Sequence, residues 1–374
     1  MNSLVVLADR AVHEILISLS KDEIVNFQTS LATCLQKYSI GSERQYQPDA
    51  GVINRPSGQR TLFRNFTSST AVGTKIIVDP APSENNRRPP LQGILALCDE
   101  SGVPSGVINA GEVTGYRTAL SAMIPYMWRR STEKIIVYGA GKQALWHIRL
   151  SLALRGDEIK SIIVLNRSES RAREMLDKVT QENAARWKSL ATLEYLGPPS
   201  PDYDQAAKAA LGDADVIFCT VPSHEPLFPA DYIPNRDRRG RSPYISAIGS
   251  WQPDMIELDP VLLRSIVDGT RSGFNPEGGS TGVILADDRE GAMAHAGEVI
   301  QSQLNIGDMV DLGKVCHSRD QADDQSNQEG LNKWLEEGLV VYKSIGVGTT
   351  DLAAGEEILA LARRRNLGTR ITGF

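Results

Sequence analysis

Ile135-Ile136-Val137-Tyr138-Gly139-Ala140-Gly141-Lys142-Gln143-Ala144 is an apolar run that opens directly into a GxGxxA turn. Residues 134–138 predict a buried strand, 142–154 a helix and 161–165 a second strand, so the glycines fall inside one βαβ unit. Each small residue answers a physical demand. Gly139 permits the tight turn, Gly141 lets the backbone approach a pyrophosphate, and Ala144 allows the helix to pack closely on the strand. The helix start offers unpaired N–H groups and its positive dipole end to the phosphates. Gly139, Ala140, Gly141, Gln143 and Ala144 are therefore expected to bind a dinucleotide.

The end of the second strand selects among dinucleotides. A site for NAD places Asp or Glu there to bind the ribose 2′-hydroxyl, whereas this chain has Asn166-Arg167-Ser168. With no carboxylate to repel a 2′-phosphate and an arginine beside it, NADPH is the expected cofactor and NAD the less favoured one.

Downstream, apolar runs at 193–196, 215–220, 244–248 and 265–268 alternate with helical patterns, which predicts an α/β fold with a doubly wound parallel sheet of the Rossmann type. Upstream, residues 9–38 carry helical spacing broken at Ser20 and Glu23, a capping-box pair that marks the meeting of two helices. Short β-like runs follow at 61–63, 74–78, 93–98 and 106–109, with a turn at 85–90 and then a helix over 118–128. This first part reads as a smaller α+β unit. The stretches 198–204, 235–241 and 318–329 read as loops or insertions.

The chain has 374 residues and a formal net charge of −6, which suits two domains and disfavours a groove for nucleic acid. Its 41% hydrophobic and 23% charged content is that of a globular protein with a real core. Cys34, Cys98, Cys219 and Cys316 are dispersed, so neither a disulfide framework nor a metal site is expected. The apolar run at 4–8 is too short for a signal peptide and no stretch reaches membrane-span length, so a cytoplasmic protein without membrane contact is expected.

Five segments resemble the ornithine cyclodeaminase/mu-crystallin family: Gly73-Thr74-Lys75-Ile76-Ile77, Gly115-Tyr116-Arg117-Thr118-Ala119, the glycine turn at 139–144, Ile248-Gly249-Ser250 through Pro253-Asp254 to Glu257-Leu258, and Tyr342-Lys343-Ser344-Ile345-Gly346 with Asp351-Leu352-Ala353. The resemblance implies a substrate-binding and dimerisation domain over 1–125 completed by 344–374, and an NAD(P)-binding Rossmann domain over 126–343. It implies a homodimer acting on a small amino or imino acid. It also implies that Lys75 and Arg117 are catalytic and bind the substrate carboxylate. A planar guanidinium grips a carboxylate through two hydrogen bonds, and an ammonium can supply the proton that an imine needs. Thr220, Ser223, Ser250, Ser344 and Gly346 are implied to lie near the cofactor.

Two departures refine the expectation. Where the cyclodeaminases of this family carry a catalytic aspartate after the Gly-Ser turn, this chain has Trp251, which cannot shuttle protons and is assigned to lining the substrate pocket. Where family members often carry Gln-Pro-x-Arg, this chain has Gln47-Pro48-Asp49-Ala50, with Arg55 and Arg60 as the nearest arginines. The expected activity is NADPH-dependent reduction of the C=N bond of a ketimine or cyclic imino acid. A cyclodeaminase-type lyase with bound NAD and a mu-crystallin-like binding protein for NADPH or a small ligand are the alternatives.

Overall fold

The computed structural model describes residues 3–81, 89–198, 200, 202–235, 240–321 and 325–374. The turn expected at 85–90 and the stretches 198–204, 235–241 and 318–329 lie partly outside the described residues. The chain divides into two compact units, one of residues 1–117 with 347–374 and one of 118–346.

In the first unit, strand β1 (Ser3–Leu7) leads into helices α1 (Asp9–Ile17) and α2 (Lys21–Ser39). Ser20 caps α2, with its side chain accepting from the Glu23 N–H while Glu23 accepts from the Ser20 N–H. Strands β2 (Gly51–Asn54), β3 (Arg60–Thr67), β4 (Ala71–Asp79), β5 (Gln92–Asp99) and β6 (Pro104–Asn109) follow, and then helix α3 (Ala110–Met127). The chain later returns as a C-terminal helix (Gly348–Arg365) and a last strand (Thr369–Thr372). The seven-stranded sheet runs in the order last strand, β1, β6, β5, β4, β3, β2. Among its described pairings only that of β1 with β6 is parallel.

Alternation along the strands gives this sheet two different faces. Leu95, Leu97 and Ile108 are buried under the C-terminal helix. Contact there is close, since a Cβ on Gly355 of the helix would meet Leu95 and Leu97, and one on Gly106 would meet Leu359. The opposite face carries Phe63, Ile76 and Ile94 side by side across three strands.

The second unit holds β7 (Lys134–Tyr138), α4 (Lys142–Arg155), β8 (Ser161–Leu165), α5 (Glu169–Ala185), β9 (Thr192–Leu196), β10 (Val216–Cys219), β11 (Tyr244–Ala247), β12 (Ile284–Ala286), β13 (Met309–Asp311) and β14 (Val340–Lys343). All eight strands are parallel, in the order β13-β12-β14-β11-β10-β7-β8-β9. Reversal of strand order between β7 and β10 makes the topological switch point at which a doubly wound sheet presents its ligand. β10, β11, β12 and β14 are buried throughout, as expected for parallel strands covered on both faces.

Three expectations are corrected. The run at 265–268 belongs to a helix (Pro260–Val267) begun by Asp259, whose side chain accepts from the Val261 N–H. Helix α3 begins at Ala110 rather than near 118, because the Asn109 side chain accepts from the Gly111 N–H and Val113 and Tyr116 are core residues. Described parts of 318–329 are helical, belonging to Leu312–Asp320 and Gln325–Glu337. The second of these helices is amphipathic and buries Leu331, Trp334 and Leu335.

Candidate active site

The glycine turn lies at the switch point of the second unit. Gly139 has φ +109°, and a Cβ there would stand 2.7 Å from Thr220 Oγ1 and 3.2 Å from a Val221 methyl. Thr220 in turn donates its hydroxyl to the Tyr138 carbonyl at 2.7 Å, tying the ends of β7 and β10 together. Gly141 caps α4 with no side chain serving its N-terminus. A Cβ at Gly141 would have nothing within 4 Å. Ala144 is fully buried, while Ala140 and Gln143 are half-buried.

Beyond β8, the Asn166 amide donates to the Ser168 carbonyl at 2.7 Å. That bond shapes a turn from which Arg167 projects, exposed. Ser223 organises its own loop, donating to the Glu225 carbonyl at 2.6 Å. An open glycine before a helix N-terminus, beside a cationic loop with no carboxylate at its head, fits the pyrophosphate and ribose of a dinucleotide.

A buried polar network lies at the ends of β11 and β14. Lys343 Nζ donates to Ser250 Oγ at 2.6 Å and stands 3.1 Å from Glu298 and 3.9 Å from Glu257. The Ser250 hydroxyl donates to Glu298. Glu257 accepts the N–H groups of Val221, Gly249 and Ser250, fixing two loop starts at once. Burial, reinforced by Glu298 and opposed by Lys343 and these N–H groups, pushes the Glu257 carboxyl up to about 8. Asp287, also wholly enclosed, accepts the Ser344 hydroxyl at 2.6 Å and the N–H groups of Ile345 and Gly346. Burial raises it, and these donors oppose the rise. Ser250 and Ser344 thus have buried side chains committed to carboxylates, and Trp251 follows them half-buried. Gly346 has φ +80°.

The first unit holds a second charged cluster. Lys75 on β4, Arg117 in α3 and Asp351 in the first turn of the C-terminal helix are 1%, 5% and 0% exposed. Asp351 accepts from Lys75 Nζ at 2.5 Å through one oxygen and from Arg117 Nε at 2.8 Å through the other. Burial presses Lys75 down to about 7, with Arg117 and Arg64 adding to the shift and Asp351 opposing it. For Asp351 burial pushes upward, but Arg117, Lys75 and Arg64 outweigh it and hold the carboxyl at about 2. The result is an ionised aspartate orienting two cations, one of which changes protonation near neutral pH.

Lys75 and Arg117 are brought together by a residue that sequence reasoning passed over. Asp351 stands in one of the family-like segments, and its signal was a buried carboxylate in the first turn of the C-terminal helix. Lys343, Glu257 and Glu298 were also unassigned, although Lys343 ends a wholly buried strand and Glu257 stands between Ile256 and Leu258. Among the described residues no group of three His, Cys, Asp or Glu side chains is placed to hold a metal ion. No described helix is long and apolar enough to cross a membrane.

No family model matches the chain. It is 24% identical over 371 residues to an uncharacterized cyclodeaminase of Dictyostelium discoideum, covering 96% of this chain and 93% of that protein. It is 22% identical over 309 residues to a Delta(1)-pyrroline-2-carboxylate reductase of Bacillus cereus, covering 80% of each. Identity to the ketimine reductase mu-crystallin of Rattus norvegicus is 24% over 358 residues, 90% of this chain and 95% of that one. Among solved structures, the Thermococcus litoralis Delta(1)-pyrroline-2-carboxylate reductase, in complex with NADH and L-proline, superposes with a TM-score of 0.73 at 16% identity. That match covers 98% of this chain and 100% of that one. An archaeal alanine dehydrogenase dimer with bound NAD matches at 0.72 and 18% identity over the whole of both chains. These structural likenesses show the fold, and the relatives in sequence support the resemblance to the ornithine cyclodeaminase/mu-crystallin family.

Proposed function

We propose that this chain is an NAD(P)H-dependent reductase of a C=N bond beside a carboxylate, its substrate a ketimine or cyclic imino acid. The observation that carries this function is the buried Lys75–Asp351–Arg117 cluster. Asp351 holds both cations in fixed positions, so neither loses much freedom when a ligand arrives. Arg117 binds the substrate carboxylate, and Lys75, with its affinity for a proton near neutrality, gives one from Nζ to the imine nitrogen. Bound at the glycine turn, the reduced nicotinamide cofactor supplies the hydride. Pyrroline-2-carboxylate reductases and ketimine reductase mu-crystallin among the relatives support this chemistry. Trp251 at the position of the cyclodeaminase aspartate speaks against the lyase alternative.

NADPH is the preferred carrier, because Asn166-Arg167-Ser168 favours a 2′-phosphate. It binds about tenfold tighter than NADH, and Arg167→Ala narrows that gap, as titration of cofactor fluorescence measures. Purified protein mixed with NADPH and pyrroline-2-carboxylate consumes the reduced cofactor and yields proline. Absence of binding to either nucleotide overturns the proposal.

The active form is a homodimer joined through the free face of the first sheet. Phe63 and Ile94 on that face are exposed, with Ile53 and Val72 beside them. Apolar surface of this kind is covered in a stable protein. Phe63→Glu therefore yields monomers by light scattering. Free cysteines throughout suit a cytoplasmic setting.

A further inference from the structure

Glu257 is wholly buried and joins two loops that leave the second sheet side by side. Strands β10 and β11 pair in parallel as far as Cys219 and Ala247, and the Ile248 N–H still reaches the Cys219 carbonyl at 3.1 Å. Beyond that bond the Glu257 carboxylate takes the place of the ladder. One oxygen accepts the Val221 N–H at 2.8 Å, and the other accepts those of Gly249 at 2.5 Å and Ser250 at 3.2 Å. The residue is itself anchored. Its own carbonyl accepts the Leu227 N–H at 2.9 Å, the neighbouring Ile256 N–H donates to the Ser223 carbonyl at 2.7 Å, and Lys343 Nζ stands 3.9 Å from the carboxylate.

Sheet order puts β8, with Asn166-Arg167-Ser168 after it, on one side of the glycine turn and β10 and β11 on the other. A dinucleotide that sets its adenosine end beside those three residues and its pyrophosphate at the turn runs on across the carboxyl ends of β10 and β11. Clearances there are small. A Cβ on Gly139 would stand 3.2 Å from a Val221 methyl, and one on Gly249 would stand 2.5 Å from the Val221 carbonyl and 2.6 Å from Glu257 Oε1. A shift of Val221 is therefore felt both at the glycine turn and in the loop after β11.

We propose that Glu257 is a positioning residue for the nicotinamide half of the cofactor, acting through the backbone of Val221, Gly249 and Ser250 rather than by contact with the nucleotide. This rests on the NAD(P)H-dependent function above and adds a residue to its site. A carboxylate suits the task because both of its oxygens accept, one from each loop. Glutamine has one carbonyl oxygen and an amide that donates, so it serves the loop after β10 or the loop after β11, but not both.

The test compares Glu257→Gln with wild-type protein by calorimetric titration of NADPH and of 2′,5′-ADP, which carries the adenosine end without the nicotinamide. NADH and 5′-AMP are titrated alongside. In the variant, affinity for the whole cofactor is expected to fall about tenfold while affinity for its adenosine fragment stays within about twofold. At saturating cofactor, kcat for pyrroline-2-carboxylate falls about tenfold or more, because the nicotinamide is no longer held in line for transfer. Gly249→Ala crowds the same two loops with the carboxylate still present, and it is expected to give the same split; it carries the comparison should Glu257→Gln not fold. Equal weakening of cofactor and fragment marks a role in stability alone and overturns the proposal. Unchanged cofactor affinity and kcat do the same, and both results leave the proposed function standing. Wild-type protein that binds neither NADPH nor NADH overturns both.

Discussion

Lys75 and Lys343 are each 1% exposed, one in each unit, and each is held by buried carboxylates in a different arrangement. Beside Lys75, Asp351 is held at about 2 with the help of Arg117 and Arg64, while burial presses the lysine down to about 7. Around Lys343 two glutamates share one ammonium and a serine hydroxyl, and Glu257 is pushed up to about 8. Burial acts on both clusters. It is the largest cause in each, lowering a lysine in the first cluster and raising a carboxyl in the second. A buried lysine with a lowered pKa can give up a proton near neutrality. The acidic network uses its oxygens to pin Val221, Gly249 and Ser250 by their N–H groups, so it serves as a scaffold for loops.

Exchanging Lys75 for Met gives the largest effect. Imine reduction falls by about three orders of magnitude in kcat/KM, the usual scale for a lost general acid that also binds substrate. Cofactor affinity, measured by fluorescence titration, stays close to that of the wild type. An equal loss of cofactor binding would break the distinction between a chemical cluster and a scaffolding one.

Next in size is Asp351→Asn. It removes the carboxylate that pairs with Lys75 and Arg117, and denaturant titration should show about 3–5 kcal/mol less stability. The wild type shares a related signature in acid. The Asp351 pKa is depressed on folding, so its contribution is present above the usual carboxylate range and is lost as pH falls toward about 2.

The two clusters also tilt stability in opposite pH windows. Glu257 has a raised pKa in the folded state, so its contribution is complete below about 4.5 and is lost as pH rises through about 8. For Lys75 the folded pKa is depressed, so stability is gained as pH rises from about 7 toward 10.5. Glu257→Gln costs stability at every pH because one N–H-accepting oxygen is replaced by an amide donor. It should also flatten the decline between pH 5 and 8 by at most a few kcal/mol in urea melts. A decline that survives in this variant would assign the slope elsewhere.

Legibility in the sequence followed the range of the interactions. The glycine turn was readable because strand, Gly139, Gly141 and helix α4 are consecutive, and Ser20 with Glu23 are three residues apart. Strand β1 was only an apolar run, since nothing local tells that it lies between β6 and a strand more than 360 residues away. The misread run at 265–268 has the apolar content of a strand, and only Asp259 and Pro260 upstream reveal a helix. At the site, Lys75 and Arg117 were recognisable by motif, but Asp351 is 276 residues from Lys75. Arg64 sits in an alternating strand where a cation more often faces solvent. Only cross-strand register shows that it shares a face with Lys75.

The split of the first unit across the chain has a consequence for biosynthesis. Lys75 and Arg117 leave the ribosome well before Asp351, which comes after the whole Rossmann unit. Until that late segment arrives, the nascent first sheet lacks both the helix that covers it and the carboxylate that neutralises its cations. Acquisition of native structure should therefore begin with the second unit, and a stalled chain ending before residue 347 should expose an uncovered sheet to chaperones.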